Sequence, residues 1–289
     1  MPKSLIGLGA NLNQRVTVLR TATERLSASP GVRLCGISQV YETQPIGGPY
    51  EQNAFLNAAV LIESHHDPLS LLLLLKKVET SCGRTIGTRW GPRTVDLDLL
   101  LHDDVHTVSS ELILPHPRMA FRRFALHPAC DVAPDMIHPT TGKRLKQLLD
   151  HLDRTENYIE FRGGTDQERN VIMDQVRKKI AHHGITLQKM TGKRMGESSK
   201  GNSAMWLMDG EPIDFVTQES NIISRKNPPK LVVLLEPRKH NEPHSESLPQ
   251  LQITHSIITQ ITPVDDVMAA ILAMANQPVP IKHLSLQGS

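Results

Sequence analysis

Two aspartates, Asp96 and Asp98, interrupt an apolar stretch of the sequence, RWGPRTVDLDLLL at residues 89–101. The alternation of apolar and polar residues is typical of a β-strand, in which residues i and i+2 point to the same face. The two carboxylates are therefore expected to leave the core side by side. Because adjacent carboxylates repel each other unless a cation lies between them, and because oxygen-only sites favour Mg²⁺, both acids are candidate metal ligands.

Arginines accompany the acidic pair. Arg89 and Arg93 bracket a Trp-Gly-Pro turn just upstream of it. Guanidinium groups pair with phosphate oxygens in a bidentate fork, so arginines beside a predicted Mg²⁺ site indicate a phosphate chain. The alternative is a surface strand whose two acids are simply balanced by these arginines. No GxxxxGK[ST] loop occurs in the sequence, which argues against a Walker-type kinase.

The composition narrows the class of partner. Among 289 residues, 32 Lys and Arg face 30 Asp and Glu, a formal net charge of +2. This balance gives no electrostatic case for nucleic acid or a membrane surface as the main partner. The three scattered cysteines have no metal-ligand spacing and favour a reduced, cytoplasmic protein. The most apolar run, LSLLLLLKKVE at 69–79, is too short to span a bilayer and predicts a core helix.

The elements that must position the acidic pair follow one another in the order βαββαβ. The predicted elements are a strand at 4–8, a helix carrying Val16, Leu19, Ala22 and Leu26, strands at 32–43 and 55–64, a helix at about 68–82 and a strand at 94–102. A short helix within 114–135 and another at 142–152 follow. This order predicts an α+β domain at residues 1–153, with helices packed on a largely antiparallel sheet.

A second, smaller α/β domain is predicted at residues 154–289. Its predicted elements are a strand at 158–162, a helix at about 166–183, a strand at 229–237, a strand at 251–257 and a helix at 262–276. The run PKLVVLLEP at 229–237 is typical of a strand that is buried on both faces. Residues 191–203 are rich in Gly, Ser and Lys and predict an exposed loop.

The segment RWGPRTVDLDLLL resembles the signature of the 6-hydroxymethyl-7,8-dihydropterin pyrophosphokinases of folate biosynthesis. Further segments resemble that family in the same order along the chain: SLIGLGANL, YETQPIG, FLNAAV and LPHPRMAFRRFAL. The resemblance covers about residues 1–152. It implies a ferredoxin-like α+β fold and a cytoplasmic enzyme that transfers pyrophosphate from ATP to 6-hydroxymethyl-7,8-dihydropterin, giving AMP and the pterin diphosphate.

The resemblance also implies roles for individual residues on the nucleotide side. Asp96 and Asp98 would hold two Mg²⁺ ions that bridge the ATP phosphates, with Arg84 and Arg93 as the other catalytic residues. The implied ATP-binding residues are Lys76, Glu79, Arg93, Leu99, Leu112, His116 and Arg122. A surface ion pair remains the alternative for Lys76 and Glu79, and a loop histidine that caps the backbone remains the alternative for His116.

The implied pterin-binding residues are Thr43, Gln44, Pro45, Ile46, Phe55, Asn57, Trp90 and Phe124. Residues 43–46 would meet the pterin edge largely through backbone groups. Asn57 would hydrogen-bond the pterin amide, Phe124 would stack on the ring, and Trp90 would belong to a closing loop. Core packing is the alternative for Phe55, and an outward polar strand position is the alternative for Asn57.

The chain departs from the family pattern in two places. Residues 85–88 read TIGT, without the third loop arginine of some members, and Glu111 stands where some members carry a basic residue. A non-catalytic pterin- or nucleotide-binding scaffold is the alternative function for the whole chain.

The second half lies outside the resemblance. It is interpreted as a possible protein-contact module with a degenerate, inactive nucleoside-kinase-like frame, because no Lys-Ser/Thr pair follows YIEFRG.

Overall fold

The chain forms two compact units, one of which is discontinuous in sequence. The computed structural model describes residues 1–12, 14–46, 52–84, 93–154, 158–163, 165–190, 204–209, 231–235, 251–253, 256–257, 263–282 and 284–286. The first unit comprises Met1–Asp150 together with Leu272–Ser289, and the second comprises His151–Ile271. The sequence-based division at 153 and 154 differs from this one, because it assigns residues 272–289 to the second domain.

The first unit is built on an antiparallel sheet. Its strands from the earlier part of the chain are β1 (Lys3–Ala10), β2 (Val32–Ile37), β3 (Tyr41–Thr43), β4 (Phe55–Ser64) and β5 (Asp96–His102). β1 lies between β4 and β5, and β4 also pairs with β2 and β3. All of these pairings are antiparallel, which confirms the predicted α+β arrangement.

The predicted single strand at 32–43 is wrong, because it is divided into β2 and β3. Ile37 lies opposite Val60 and Tyr41 lies opposite Asn57, so three intervening residues face only two on β4. At this bulge the Oγ of Ser38 accepts a hydrogen bond from Ala59 N at 2.8 Å. The serine side chain thus takes the place of a backbone carbonyl and lets the chain shift register before β3 begins.

Helices α1 (Arg15–Ser27) and α2 (Pro68–Ser81) pack on the sheet. The shared core contains Ile6, Leu8, Leu19, Leu26, Leu71, Leu75 and Leu97. The carboxylate of Asp67 caps α2 by accepting hydrogen bonds from Leu69 N and Ser70 N, both at 3.0 Å. The leucine-rich run is therefore a core helix, as predicted. Among the described residues, no helix combines the length and apolarity needed to cross a membrane.

The first unit is completed by smaller elements: helix α3 (Arg123–Val132), helix α4 (Leu145–Arg154), and two hairpins, β6 (Thr107–Val108) with β7 (Ile113–Leu114) and β8 (Ile137–His138) with β9 (Lys143–Arg144). A 3-10 turn at Met119–Phe121 precedes α3. These elements confirm the predicted short helices within 114–135 and near 142–152.

The second unit is an α/β sheet. Its elements are β10 (Tyr158–Gly163), α5 (Asp166–Ile180), β11 (Thr186–Met190), β12 (Ala204–Asp209), β13 (Leu231–Leu235), β14 (Leu251–Ile253), β15 (Ser256–Ile257) and the part of α6 (Pro263–Ala275) that precedes Leu272. The order β11-β12-β10-β13 is parallel, and β14 and β15 continue it antiparallel. The prediction for 251–257 was one strand, whereas two short strands pair there. β11 and β12 were not predicted.

The last described residues return to the first unit. β16 (Val279–Pro280) pairs with β3 in antiparallel register, and Ile281 N donates to Val40 O at 2.8 Å. Leu286 is 1% exposed within the core of the first unit. We call residues 272–286 the returning segment. The sequence did not predict this placement, because its isolated apolar residues form no periodic pattern.

Leu286 gives a test of this placement. Replacing Leu286 with Ala should lower the free energy of unfolding of the first unit by about 2 to 5 kcal/mol, since a buried leucine loses its transfer energy and leaves a cavity. Chemical denaturation measures the change. Leu69, which is 44% exposed on α2, supplies the control, and Leu69→Ala should change stability by less than about 0.5 kcal/mol. Equal effects of the two substitutions would contradict the placement.

A buried histidine should make stability depend on pH. Neither ring nitrogen of His138 has a hydrogen-bond partner, and burial lowers its pKa to about 4. The folded state therefore binds this proton less readily than the unfolded state, whose histidine pKa is about 6.5. The stability contributed by neutral His138 is complete above pH 6.5 and is lost as pH falls toward 4, with a slope of at most about 1.4 kcal/mol per pH unit.

His138→Phe should flatten the decline in unfolding free energy between pH 6.5 and 4. Urea denaturation at several pH values measures this slope. The exposed His65 provides the control, because His65→Gln should leave the slope of the parent unchanged. An unaltered slope in the His138 variant would show that its burial does not govern the acid sensitivity.

Candidate active site

The acidic pair lies on β5 as the alternation predicts. Leu97 and Leu99 enter the core, while Asp96 and Asp98 are partly exposed on the other face. Gly9 on β1 pairs with Asp96 on one side and with Asn57 of β4 on the other. A Cβ on Gly9 would come within 3.7 Å of Asn57 Oδ1 and 4.0 Å of Asp96 Cβ. The absent side chain therefore leaves space between a predicted metal ligand and a predicted pterin-binding amide.

The two carboxylates differ in electrostatic surroundings. Asp96 accepts hydrogen bonds from Arg84 Nη1 at 2.5 Å and from Arg93 Nη1. Burial opposes ionisation, but the two guanidinium charges hold the pKa of Asp96 below its usual value. Burial and the charge of Asp96 raise the pKa of Asp98 to about 6. Among the described residues, Asp96 therefore forms ion pairs with two arginines, whereas Asp98 forms none.

This donor set fits a divalent cation that takes only part of its coordination from the protein. No group of three or more His, Cys, Asp or Glu side chains suited to a metal occurs among the described residues. Two adjacent carboxylates with unbalanced negative charge suit Mg²⁺, which keeps waters and substrate phosphates as its other ligands. The alternative of a surface strand neutralised by arginines does not account for Asp98.

The buried carboxylate of Glu79 connects α2 with β5 and with Arg84. Glu79 on α2 is 2% exposed, and its carboxylate accepts from Leu97 N at 2.7 Å, between the two aspartates in sequence. It also pairs with Arg84 and, at 3.0 Å, with Lys76. The alternative interpretation of Lys76 and Glu79 as a surface pair does not fit this burial. Glu79 instead fixes β5 and Arg84 relative to α2.

A cavity of about 270 Å³ lies beside Asp98 and is partly walled by the β6–β7 hairpin. The predicted ATP-binding residues Lys76, Leu99, Leu112 and His116 line it, as does Glu111. Its lining combines apolar side chains with a cation, two carboxylates and an imidazole. Such a lining suits a flat apolar ring that carries a charged chain.

His116 and Arg122 supply donors next to the acidic pair. Burial, with the charges of Arg122 and Arg118, lowers the pKa of His116 to about 3. The Nδ1 of His116 accepts from Arg118 N at 3.2 Å, which leaves the proton of the neutral ring on Nε2. The imidazole therefore both caps the backbone and keeps one donor. Burial and the Arg118 charge lower the pKa of Arg122 to about 10, so its guanidinium stays charged at neutral pH.

The described pterin residues lie on β3 and just after it, on β4 and at the start of α3. Asn57 Nδ2 donates to Thr43 Oγ1 at 2.8 Å, and both residues are buried. Phe124 is half-buried, and the guanidinium carbon of Arg122 lies 5.3 Å from the centroid of its ring. Phe55, Pro45 and Ile46 are partly exposed, and Gln44 is exposed. Trp90 lies outside the described residues.

Asn11 was missed by the sequence reasoning. It is 1% exposed, its Oδ1 accepts from Arg93 N at 2.7 Å, and its backbone N donates to Arg93 O at 3.1 Å. Asn11 thereby fixes the backbone of the arginine that pairs with Asp96. An asparagine directly after a strand is a typical turn residue and was the available signal.

The chain is similar to known pyrophosphokinases. The family model of 7,8-dihydro-6-hydroxymethylpterin-pyrophosphokinase matches residues 5–134. The 2-amino-4-hydroxy-6-hydroxymethyldihydropteridine pyrophosphokinase of Methylorubrum extorquens is 36% identical over 153 residues, which are 53% of this chain and 95% of the relative. The Bacillus subtilis protein of that name is 41% identical over 143 residues, 49% of this chain and 84% of the relative.

A crystallised Plasmodium falciparum HPPK-DHPS chain aligns with a TM-score of 0.43 at 12% identity, over 70% of this chain and 57% of that one. A score this low carries no weight for either unit. The two bacterial relatives, in contrast, are matched over 95% and 84% of their lengths. The family-model match, residues 5–134, includes the acidic pair, Glu79 and the residues that line the cavity. The chain therefore belongs to the 7,8-dihydro-6-hydroxymethylpterin-pyrophosphokinase family.

Proposed function

We propose that the chain transfers pyrophosphate from ATP to 6-hydroxymethyl-7,8-dihydropterin in the cytoplasm, as a step of folate biosynthesis. The observation that carries the proposal is the row Asn57, Gly9 and Asp96 across three adjacent strands. On one side of this row lies the amide expected to bind the pterin, and on the other lie the acids expected to bind Mg²⁺ and ATP. Family membership supports the same reaction.

The reaction joins the hydroxymethyl oxygen of the pterin to the β-phosphorus of ATP. The bond from that phosphorus to the oxygen bridging the α-phosphorus breaks, AMP leaves, and the hydroxyl proton is lost. When bound, Mg²⁺ neutralises the phosphate charge, and Asp96 and Asp98 are the residues that would hold two such ions. Alignment and charge neutralisation are the main requirements of phosphoryl transfer, so the protein needs to provide little covalent chemistry.

Arginine, lysine and histidine donors support the nucleotide half of the site. Arg84 and Arg93 already lie beside Asp96, where phosphate oxygens shared with a cation would be found. Lys76 and His116, whose Nε2 carries the proton of the neutral ring, line the cavity that would receive the nucleotide. Apolar Leu99 and Leu112 offer surface for the adenine ring. Together these residues bind and orient the triphosphate.

The pterin half of the site depends on fixed amides and an aromatic face. The hydrogen bond to Thr43 holds the Asn57 amide group in one orientation. The second N–H and the carbonyl oxygen of that amide are then left to bond the pterin. Residues 43–46 supply backbone groups, and the half-buried ring of Phe124 supplies a stacking surface. Phe55 and Trp90 complete the proposed set.

The second unit is proposed to be catalytically silent and available for protein contact. Its parallel strands, with interior β10 followed by α5, are compatible with a nucleoside-kinase-like frame. The sequence from the last residue of β10 to the first turn of α5 reads GGTDQER, without the lysine that would hold a nucleotide phosphate. Phosphotransfer from ATP in the absence of the pterin would contradict this assignment. So would phosphotransfer that persists when Asp96 and Asp98 are both replaced by alanine.

The direct test is an AMP-release assay with ATP, Mg²⁺ and hydroxymethyldihydropterin. Pterin-dependent AMP formation by the full chain is expected. Pterin binding without AMP release would favour the scaffold function over the enzyme.

Asp98→Asn should lower turnover by at least about 100-fold, because the pair loses the charge that holds the cation.

The same change should raise the melting temperature of the metal-free protein at pH 8. The reason is that the pKa of Asp98 is raised to about 6 in the folded protein, so its ionised form destabilises the fold above that pH. Melting curves in EDTA and AMP release measure the two effects. Asp104→Asn, at an exposed turn, is the control.

Glu79→Gln should lower activity by about 10- to 100-fold and raise the Mg²⁺ concentration needed for half-maximal rate. The amide can still accept from Leu97 N, but it no longer pairs with Arg84 and Lys76, so the ligands lose their support. Mg²⁺ titration of the rate measures the effect. Glu24→Gln, exposed on α1, should behave as the parent. An unchanged Mg²⁺ requirement in the Glu79 variant would refute the role.

A further inference from the structure

The returning segment contacts the backbone of the loop that follows β3. Asn276 Nδ2 donates a hydrogen bond to Gln44 O at 2.7 Å. β3 ends at Thr43, and its ladder with β16 reaches only Glu42, so this carbonyl lies just beyond the strand pairing. Pro45, the next residue, has no N–H to join a ladder. The Asn276 side chain therefore adds one hydrogen bond beyond the end of the β3–β16 pairing, and this bond holds the first residue of the proposed pterin loop.

The same turn of chain reaches the start of α3. Arg123, 3% exposed, donates from Nε to Met274 O at 2.6 Å. Arg123 stands between Arg122 and Phe124 in the sequence, and those two residues provide the cation and the aromatic ring of the proposed site. Met274 and Asn276 of the returning segment thus bond to two separate parts of the proposed site, the start of α3 and the loop after β3.

Asn276 is itself held in place from both directions. Its backbone N donates to Leu272 O at 2.9 Å, at the end of α6. Beyond it, Pro280 pairs with Tyr41, and Leu286 is buried in the core. A donor fixed in this way positions its acceptor at little further entropic cost, which is the physical basis of preorganisation.

We propose that Asn276 is a positioning residue for the pterin substrate. By fixing the Gln44 carbonyl it sets the conformation of residues 43–46, whose backbone groups meet the pterin edge, and it does not act on the nucleotide. This inference rests on the proposed function. It assigns to the returning segment, which lies outside the 5–134 match to the family model, a part in substrate recognition.

Two substitutions in the full chain test the proposal. Asn276→Ala removes the donor, and Asn276→Asp keeps the shape but sets a carboxylate oxygen against the Gln44 carbonyl. We expect KM for hydroxymethyldihydropterin to rise about 5- to 10-fold in the Ala variant and further in the Asp variant. We expect kcat, KM for ATP and the melting temperature to stay near the parent values, because the contact touches neither the nucleotide site nor the core.

Gln277→Ala, at the exposed neighbouring position, is the matched control and should keep the parent KM for pterin. The inference is overturned if the parent is active and both Asn276 variants retain its pterin KM. It is equally overturned if kcat, both KM values and the melting temperature all worsen together, because that pattern reports general destabilisation. If the parent chain releases no AMP, the proposed function is refuted instead. The activity of the parent therefore separates failure of the proposed function from failure of the Asn276 inference.

Discussion

The catalytic half of the first unit depends on one buried carboxylate. Glu79 accepts hydrogen bonds from a helix lysine, from a loop arginine and from the backbone of the strand that carries the acidic pair. Since a buried charge is costly unless it is fully paired, α2, Arg84 and β5 can separate only by exposing an unpaired ion. The position of the acidic pair relative to α2 is therefore set by electrostatics as well as by apolar packing.

The same logic explains why Asp96 and Asp98 differ. Arg84 and Arg93 neutralise Asp96, whereas Asp98 forms no ion pair with an arginine among the residues that the structure describes. Complete neutralisation by arginine would favour the fold but would leave no net charge to attract a cation. The fold thus carries an electrostatic cost at Asp98, where the proposed cation would relieve it, a common relation between stability and activity.

The predictable parts of the structure were those set by local pattern. The alternation around Leu97 and Leu99 gave the faces of β5, and the leucines of α2 gave a core helix. The division between β2 and β3 depends on the Ser38 side chain bonding to a residue 21 positions away, which no local pattern reports. Asn276 and Leu286 also make long-range contacts and were missed for the same reason, whereas Asn11 carried a local turn signal that did not reveal its contact with Arg93. For Glu79 the family resemblance indicated importance, whereas burial revealed the contacts behind it.

The discontinuity of the first unit has a consequence for biosynthesis. The chain leaves this unit after Asp150 and rejoins it at Leu272, with His151–Ile271 between them. At a synthesis rate of about 5 to 20 residues per second, the intervening unit takes about 6 to 24 s to be made. During that interval β3 waits as an unprotected sheet edge, a template for unwanted strand pairing in a nascent chain. The pairing of Val279 and Pro280 with β3 closes that edge, so the edge is protected only after the second unit has been synthesised.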